Sequence, residues 1–480
     1  MAAQRGYIRP TLMEGLKTGG KILVYDGYRY HKNKTANNKI YWRCAHLECR
    51  APIHTDHIDF NNINARVRIQ GERFPQHNHE RDGDLISKTL FTQRVFETIT
   101  NDPSMPIRRA YNKVLLRENN RDNIPSFAEL ESSLQRHRNS LWPGVPRTIN
   151  DVEIEGIWGE NWRGQRMLIH LNNIVGVAVF ATPRQLRVLQ TCEEVFIDGT
   201  FRTAPRPYSQ IVTVHGKFND WIIPLAMCLS AGKTRLHYTD ILRALKREMV
   251  AETGHQWECQ NVITDFEAGL VQAVRAELPQ ARSSGCYFHF CSSLYRKVRE
   301  LGLAAPYQAN VRLKTCIRKF MALGFLPLLT VRQQYAMLST SRRVRALVVL
   351  YPALAQFIAY FDETYMNGNM FPPSFWNTWA RPMSSRTNNS VESFHNRWNR
   401  DVAIRHPSLW LVIRRMKDES VKAHQAMKCA NRGDDPPRRR KKWRDLDRRT
   451  RRLKRQYLEG RRTLNEYHVA MVYAITAFGV

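Results

Sequence analysis

The sequence predicts a mixed α/β core preceded by a small β-rich module and a short helical region, and three observations carry that reading. Val195-Phe196-Ile197 is an apolar run that closes on Asp198 and then Gly199, the pattern of a buried central strand delivering a carboxylate to a sheet edge. A second run, Asn261-Val262-Ile263-Thr264, closes on Asp265 and leads into a helix-like stretch from Glu267 to Val274. Residues 21 to 80 carry short segments that alternate apolar and polar positions, the signature of half-buried strands.

Asp-Gly between two β-type runs is also the commonest hairpin signal, so Asp198-Gly199 taken alone reads equally as a turn. The second acid-terminated strand favours the core reading. A third acid follows in Thr387-Asn388-Asn389-Ser390-Val391-Glu392-Ser393-Phe394-His395, where Asn and Ser offer helix caps and Glu392 falls in the first turn. Carboxylates from three separate elements can converge on a pair of divalent metals, the arrangement that activates a nucleophile and stabilises a leaving oxygen in phosphodiester chemistry.

Composition narrows the partners. The chain has 480 residues, enough for two to four domains, and its 43% hydrophobic content can fill a sizeable core. Lys plus Arg outnumber Asp plus Glu by 74 to 43, a formal charge of +31, which calls for a polyanion. Nucleic acid leads, because Met1-Ala2-Ala3-Gln4-Arg5 is no secretory leader and no apolar run, the tail from Val469 to Val480 included, reaches spanning length. Nine scattered cysteines without a leader imply a reducing compartment, with thiols free or metal-bound.

The N-terminal module reads as about four strands, Lys21 to Tyr25, Tyr28 to His31, Ile40 to Arg43 and Arg66 to Ile69. Cys44 and Cys49, with four residues between them, and His77 and His79 offer two thiolates and two imidazoles, a donor set that suits tetrahedral zinc in a module with a thin core. The plainer reading is two small buried cysteines and a polar loop, with His46, His54 and His57 as spare ligands. From 85 to 147 the periodicity turns helical over Ser87 to Ile99, Pro106 to Arg117 and Phe127 to Arg138. Arg108, Arg109, Arg117, Arg136 and Arg138 fit either a helix-turn-helix-like DNA reader or a helical spacer with solvated arginines.

The core then reads as a hairpin, Met167 to His170 with Val175 to Phe180, a helix from Pro183 to Leu189, the strand ending at Asp198, and strands Tyr208 to His215 and Trp221 to Leu229. Phe218-Asn219-Asp220 is the turn between the last two, and a helix near Tyr238 to Val250 precedes the strand to Asp265. Glu267 reads as a first-turn acid favouring its helix dipole. Cys286 and His289 sit three apart at a strand-to-helix junction, as polar site residues or as half of a metal site. Leu301 to Trp379 is mainly helical, with the cluster Phe371, Phe375, Trp376 and Trp379 read as core or as a stacking surface for unpaired bases. His395, Asn396 and Asn399 share one face of the Glu392 helix.

Asp198-Gly199-Thr200-Phe201, Thr264-Asp265, Cys286-Tyr287-Phe288-His289 and Asn388 to His395 together resemble the ordered blocks of the Mutator-like element (MULE) transposases, over residues 150–425. The resemblance implies a ribonuclease-H-like catalytic core with a helical insertion at about 301–380 and an Asp-Asp-Glu triad of Asp198, Asp265 and Glu392. It also implies Mg²⁺ or Mn²⁺, with Cys286, His289 and His395 as accessory residues and double-stranded DNA, both transposon ends and target, as substrate. Residues 16–82 resemble the FLYWCH zinc finger: Trp42 precedes Cys44 by two, the segment closes on His77-Asn78-His79, and Ile22-Leu23 or Tyr28 stands loosely at the leading Phe-Leu position.

Residues 434–480 form a basic C-terminal tail. Between Arg438 and Arg462 stand fourteen Lys or Arg against three acids, and Arg438-Arg439-Arg440-Lys441-Lys442 fits a phosphate-binding arm or a nuclear-import signal as well as a solvated helix. The expected protein is therefore a nuclear DNA transposase, with no membrane partner and with homo-oligomerisation open. Its rivals are a domesticated transposase acting as a DNA-binding transcriptional regulator, and an RNA-binding or RNA-cleaving protein.

Overall fold

The computed structural model describes residues 7–8, 11–14, 20–49, 51–58, 67–70, 76–103, 105–118, 123–382, 389–438 and 441–475. Two compact units divide the chain, Met1–Gly144 and Val145–Val480.

The first unit begins with a seven-stranded antiparallel sheet: β1 (Tyr7–Ile8), β2 (Thr11–Glu14), β3 (Lys21–Tyr25), β4 (Tyr28–Ala36), β5 (Lys39–Cys44), β6 (Pro52–Asp56) and β7 (Val67–Gln70), in the order β1-β7-β6-β5-β4-β3-β2. The sequence reading of about four strands is too few; β1 and β2 are short edge strands that carry little alternation, and β6 is an interior strand that the reading missed. The four strands it named are there in some form, although Arg66 lies outside the described residues. Two-residue turns at Asp26-Gly27 and Asn37-Asn38 have positive φ at both positions (48° and 79°, 52° and 55°), the geometry that matches strand twist in a tight hairpin. Trp42, fully buried, packs among Tyr30, Ile40 and Ile53, and its indole N–H donates to Thr55 Oγ1 at 2.9 Å.

Three helices complete this unit: α1 (Gly83–Asn101), α2 (Ile107–Leu115) and α3 (Phe127–Ser140). They bury Phe91, Val95, Ile99, Tyr111, Val114 and Leu134 against one another, and Ser126 caps α3 by accepting from the Glu129 N–H. Arg108, Arg109, Arg117 and Arg136 stay exposed. Arg108 lies 4.3 Å over the Phe127 ring, and Arg138 donates to Gln135 Oε1 at 2.9 Å.

The second unit is built on a mixed seven-stranded sheet. Its elements are β8 (Leu168–Asn172), β9 (Val177–Phe180), α4 (Pro183–Thr191), β10 (Glu194–Thr200), β11 (Gln210–Phe218), β12 (Trp221–Ser230), α5 (Arg235–Thr253), β13 (Asn261–Thr264), α6 (Ala268–Glu277), β14 (Arg282–Gly285) and α7 (Tyr287–Glu300). The strand order is β14-β13-β10-β11-β12-β9-β8, with β10, β13 and β14 parallel and the other neighbours antiparallel. The Asn219-Asp220 turn joins β11 to β12, with φ of 45° and 64°. Asp198-Gly199 is no turn and Asp198 lies inside the sheet: β10 continues to Thr200, and Asp198 stands opposite Thr213 of β11. The hairpin alternative loses because the flanking β11 supplies a partner for every residue from Val195 to Thr200.

Alternation along β10 separates two environments. Val195 and Ile197 enter the core made with α5 and α6, whereas Phe196 packs with Ile263, Cys286 and Val391 on the other side, the side that Asp198 shares by its period of two.

The remaining helices are α8 (Ala304–Ala309), α9 (Val311–Ala322), α10 (Val331–Ser339), α11 (Arg342–Leu350), α12 (Ala353–Phe361), α13 (Pro373–Trp376), α14 (Asn389–Val402), α15 (Leu409–Asn431), α16 (Lys441–Leu458) and α17 (Leu464–Ala474). Helices α7 to α13 share one apolar core with α16 and α17, to which α16 gives Leu446 and Leu453 and α17 gives Tyr467, Met471 and Val472. Trp376 is fully buried and stacks on Phe290 at 4.8 Å, a packing whose loss to alanine would cost about 3–5 kcal/mol. Phe375 is buried too, and Phe371 and Trp379 are partly buried, so this cluster is core. A Cβ on Gly285 would meet Phe375 Cε1 at 2.6 Å and Phe266 Cζ at 2.7 Å, and the Arg381 guanidinium donates to the carbonyl oxygens of Gly285 and Phe375. Among the described residues no helix is long and apolar enough to cross a membrane.

Candidate metal centres

In the first unit, strand β5 ends at Cys44, whose N–H donates to Ala51 O at 2.9 Å, while Cys49 N–H closes the intervening turn on His46 O at 3.1 Å. This folds the two buried thiols back toward His77 and His79. Cys44 Sγ lies 3.2 Å from His79 Nε2 and Cys49 Sγ 3.3 Å from His77 Nδ1, and all four donor atoms fall within 4.8 Å of one another. Around tetrahedral zinc, bonds of about 2.3 Å to sulfur and 2.0 Å to nitrogen place sulfur and nitrogen about 3.5 Å apart, so the donor set fits.

The ring atoms facing away from the group fix each histidine. His79 Nδ1 bonds to Glu80 O at 2.8 Å and His77 Nε2 to Tyr30 Oη at 2.8 Å, leaving His79 Nε2 and His77 Nδ1 to point inward. Tyr28 stacks flat on His77 at 3.6 Å and meets His79 edge-on. Of the spare histidines, His46 stacks on His79 and His54 packs against Tyr41; neither they nor His57 belong to the four-donor group. Sequence alone does not mark Tyr28 and Tyr30 as supports, although Tyr28-Arg29-Tyr30 reads as a strand.

In the second unit, the parallel register pairs Ile197 with Thr264, so Asp198 and Asp265 leave the same level of two adjacent strands. Asp198 is 4% exposed, and its carboxyl is pushed up to about 7, first by burial, with Asp265 and Glu392 adding to the rise and His289 opposing it. The Gly199 N–H donates to Asp198 Oδ1 at 2.9 Å. Burial also raises Asp265 and Glu392, and the charge of His289 opposes the rise in both. His289 is thus the shared neighbour of all three acids. Burial alone would push its imidazole down, but Cys286, Asp198 and Asp265 more than offset this and raise it to about 10.

Cys286 is the cap residue of α7 and His289 lies in its first turn; Glu392 lies in the first turn of α14. Their donor atoms fall within 4.8 Å of one another. Among the described residues, the three acids alone do not form such a group. Of the Asn and Ser capping candidates for this helix, Asn388 lies outside the described residues, and Asn389 and Ser390 lie inside α14.

Helix α14 is held by side chains beyond its first turn. Arg397 makes a two-pronged ion pair with Glu419 of α15 at 2.6 and 2.7 Å, Trp398 Nε1 donates to Thr203 Oγ1 at 3.0 Å, and Thr203 donates to Asn399 Oδ1 at 3.0 Å. His395 turns inward, 3.5 Å from Asp198, while Asn396 is exposed. Glu267 occupies the N-cap position of α6 without a side-chain cap, its N–H donating to Asp265 Oδ1 at 3.0 Å and its carboxylate accepting from Tyr238 Oη at 2.8 Å. Thr213, which bridges His395 to β10, has no signal in the sequence; the register that places it opposite Asp198 is not written in any local pattern.

Of the basic run, Arg438, Lys441 and Lys442 are exposed, the two lysines at the start of α16; Arg439 and Arg440 lie outside the described residues.

Residues 16–79 match the FLYWCH zinc finger domain, and residues 194–293 match the MULE transposase domain. The first span holds all four candidate zinc ligands. The second holds Asp198, Asp265, Cys286 and His289 but stops short of Glu392. No curated protein matches the chain.

Proposed function

We propose that this chain, which carries a FLYWCH zinc finger domain and a MULE transposase domain, is a DNA transposase that cuts transposon ends and joins them to target DNA. The observation that carries the reading is the burial of Asp198 beside Asp265 at one level of the sheet, with Glu392 entering from α14. A buried carboxylate whose pKa two neighbouring acids raise further is a poor structural choice and a good cation site. The strand order β12-β11-β10-β13-β14, three antiparallel and two parallel, supports a ribonuclease-H-like core within the observed mixed sheet.

Asp198, Asp265 and Glu392 would hold Mg²⁺ or Mn²⁺, hard ions that suit oxygen donors. Bound there, such ions activate an attacking oxygen and stabilise the leaving one. The chain's own groups do the positioning: the Gly199 N–H orients one Asp198 oxygen, His395 flanks the other, and the Glu267 N–H fixes Asp265. The phosphodiester is attacked first by water; the freed 3′-hydroxyl then attacks target DNA at the same site. The zinc finger and the exposed lysines and arginines supply binding to duplex DNA, and the run at Arg438 to Lys442 fits nuclear entry.

The test is cleavage of duplexes carrying the flanking terminal repeats by the full-length protein with Mg²⁺ or Mn²⁺. Asp198→Asn, Asp265→Asn and Glu392→Gln should each abolish cleavage while leaving DNA binding and folding nearly intact. Glu267→Gln keeps an oxygen for Tyr238 and serves as the control. Cleavage by Asp198→Asn, or equal damage from Glu267→Gln, would refute the assignment; preference for RNA over duplex DNA in competition would point to the RNA reading.

A further inference from the structure

We propose that Cys286, His289 and Glu392 form a second binding site for a thiophilic divalent ion of the zinc class, distinct from the finger and adjoining Asp198 and Asp265. Three donors of three kinds, a thiol sulfur, an imidazole nitrogen and a carboxylate oxygen, stand within 4.8 Å of one another. Three protein ligands with a fourth position left over is the form of zinc sites that do chemistry, whereas structural sites use four. Two further observations point to a ligand: His289 Nδ1 and Glu392 Oε1 are both buried away from solvent with no hydrogen-bond partner. Polar atoms so placed are costly unless something is bound to them.

The chemistry of the donors selects the ion. Magnesium takes oxygen ligands and is poorly served by a thiolate, while zinc accepts sulfur, nitrogen and oxygen together. Cys286 is buried among Phe196, Ile263 and Val391, while His289 and Glu392 are partly exposed. The inference rests on the proposed function for what the ion would do, but its binding stands on these three residues alone. In that setting one carboxylate oxygen of Glu392 serves the thiophilic ion and the other remains for the hard ion at Asp198 and Asp265.

The test is the metal content of full-length protein after equilibrium dialysis against micromolar zinc, without DNA. About two zinc ions per chain are expected, falling to about one in Cys286→Ser, His289→Ala or Glu392→Gln with unchanged circular dichroism. Cobalt in place of zinc gives an independent readout. In Cys44→Ser/Cys49→Ser the thiolate-to-cobalt charge-transfer band should persist, and adding Cys286→Ser should remove it. One zinc per chain in the wild type, or two in Cys286→Ser, would overturn the proposal and mark His289 as a counter-charge only. Zinc at the trio with cleavage surviving Asp198→Asn would sink the Asp-Asp-Glu assignment and leave this site standing.

Discussion

His395 Nδ1 faces Asp198 Oδ2 at 3.5 Å, while its Nε2 lies 3.0 Å from Thr213 Oγ1. The single Thr213 hydroxyl proton goes to the Asp198 carbonyl oxygen at 3.3 Å, so the hydroxyl accepts from His395 and Nε2 carries the hydrogen. Burial, then the charge of His289, lowers His395 to about 4, so at neutral pH its Nδ1 offers a lone pair to Asp198. Two lone pairs face each other there, and a proton or a cation on Asp198 relieves the contact.

We expect Thr213→Val to free the imidazole and lower DNA cleavage about 10–100-fold, the usual loss when a supporting hydrogen bond behind a metal ligand is removed. Thr213→Ser should retain most activity. Equal loss in both variants, measured as single-turnover cleavage, would assign Thr213 a packing role instead.

Asp198 carries a pH signature. Its folded pKa of about 7 lies above the ordinary 3.8, so folding takes up a proton between these values and stability falls as pH rises through that window. Below 3.8 the penalty is absent; above about 7 it is complete. His289, raised from 6.5 to about 10, acts in the same sense at higher pH, its contribution being full below 6.5 and lost as pH rises through about 10. In chelator, Asp198→Asn should therefore match the wild type near pH 4 and melt at higher temperature at pH 8, with the gap closing when Mg²⁺ or Mn²⁺ is added. Thermal melts across this range, followed by core tryptophan fluorescence, check the sign.

Chelation should unfold the finger and leave the second unit folded, because the ligation of Cys44, Cys49, His77 and His79 supplies folding energy to a small core. Tyr30→Phe removes the partner of His77 Nε2 and should weaken zinc about tenfold without abolishing it. Competition with a zinc dye reads the affinity. Native circular dichroism of the finger in excess chelator would count against the site.

Affinity for DNA should fall steeply with salt, given the charge of +31. Removing Arg438 to Arg462 would take Leu446 and Leu453 out of a core, so substitution is the cleaner probe. Changing the exposed Arg444, Arg449, Arg451 and Arg452 to Gln should flatten the slope of log K against log salt by about 0.9 for each phosphate left without its cation. An unchanged slope in anisotropy titrations would reduce α16 to a solvated packing helix.

Most strands of the second unit are legible because they are short apolar runs with their own punctuation, as at Ile263-Thr264-Asp265 and Phe218-Asn219-Asp220, whereas β14, Arg282-Ser283-Ser284-Gly285, has no such run. The four finger donors are legible because thiols and imidazoles are rare and their spacing is local to one module. Proximity across elements is not. Glu392 keeps company with Cys286 and His289 because two helix starts meet at the end of a sheet, a relation set by tertiary packing and carried by no periodicity. The same limit explains α16: a string of arginines masks Leu446 and Leu453, whose seven-residue spacing puts them on one apolar face. Asp198-Gly199 misleads for a simpler reason, since a dipeptide common in turns is also allowed in a strand when a neighbour pairs with it.

Gly285 sets where this protein can be cut and regrafted. Its missing side chain is filled by Phe375 of α13, and the segment after α13 returns the contact through Arg381, which grips the Gly285 carbonyl one residue before Cys286. Residues 304–376 are therefore no interchangeable cassette. A chimera that imported foreign helices here would leave the end of β14 bare and Cys286 without its brace, so the smallest unit that can be exchanged includes β14, the start of α7 and the segment through Arg381 together.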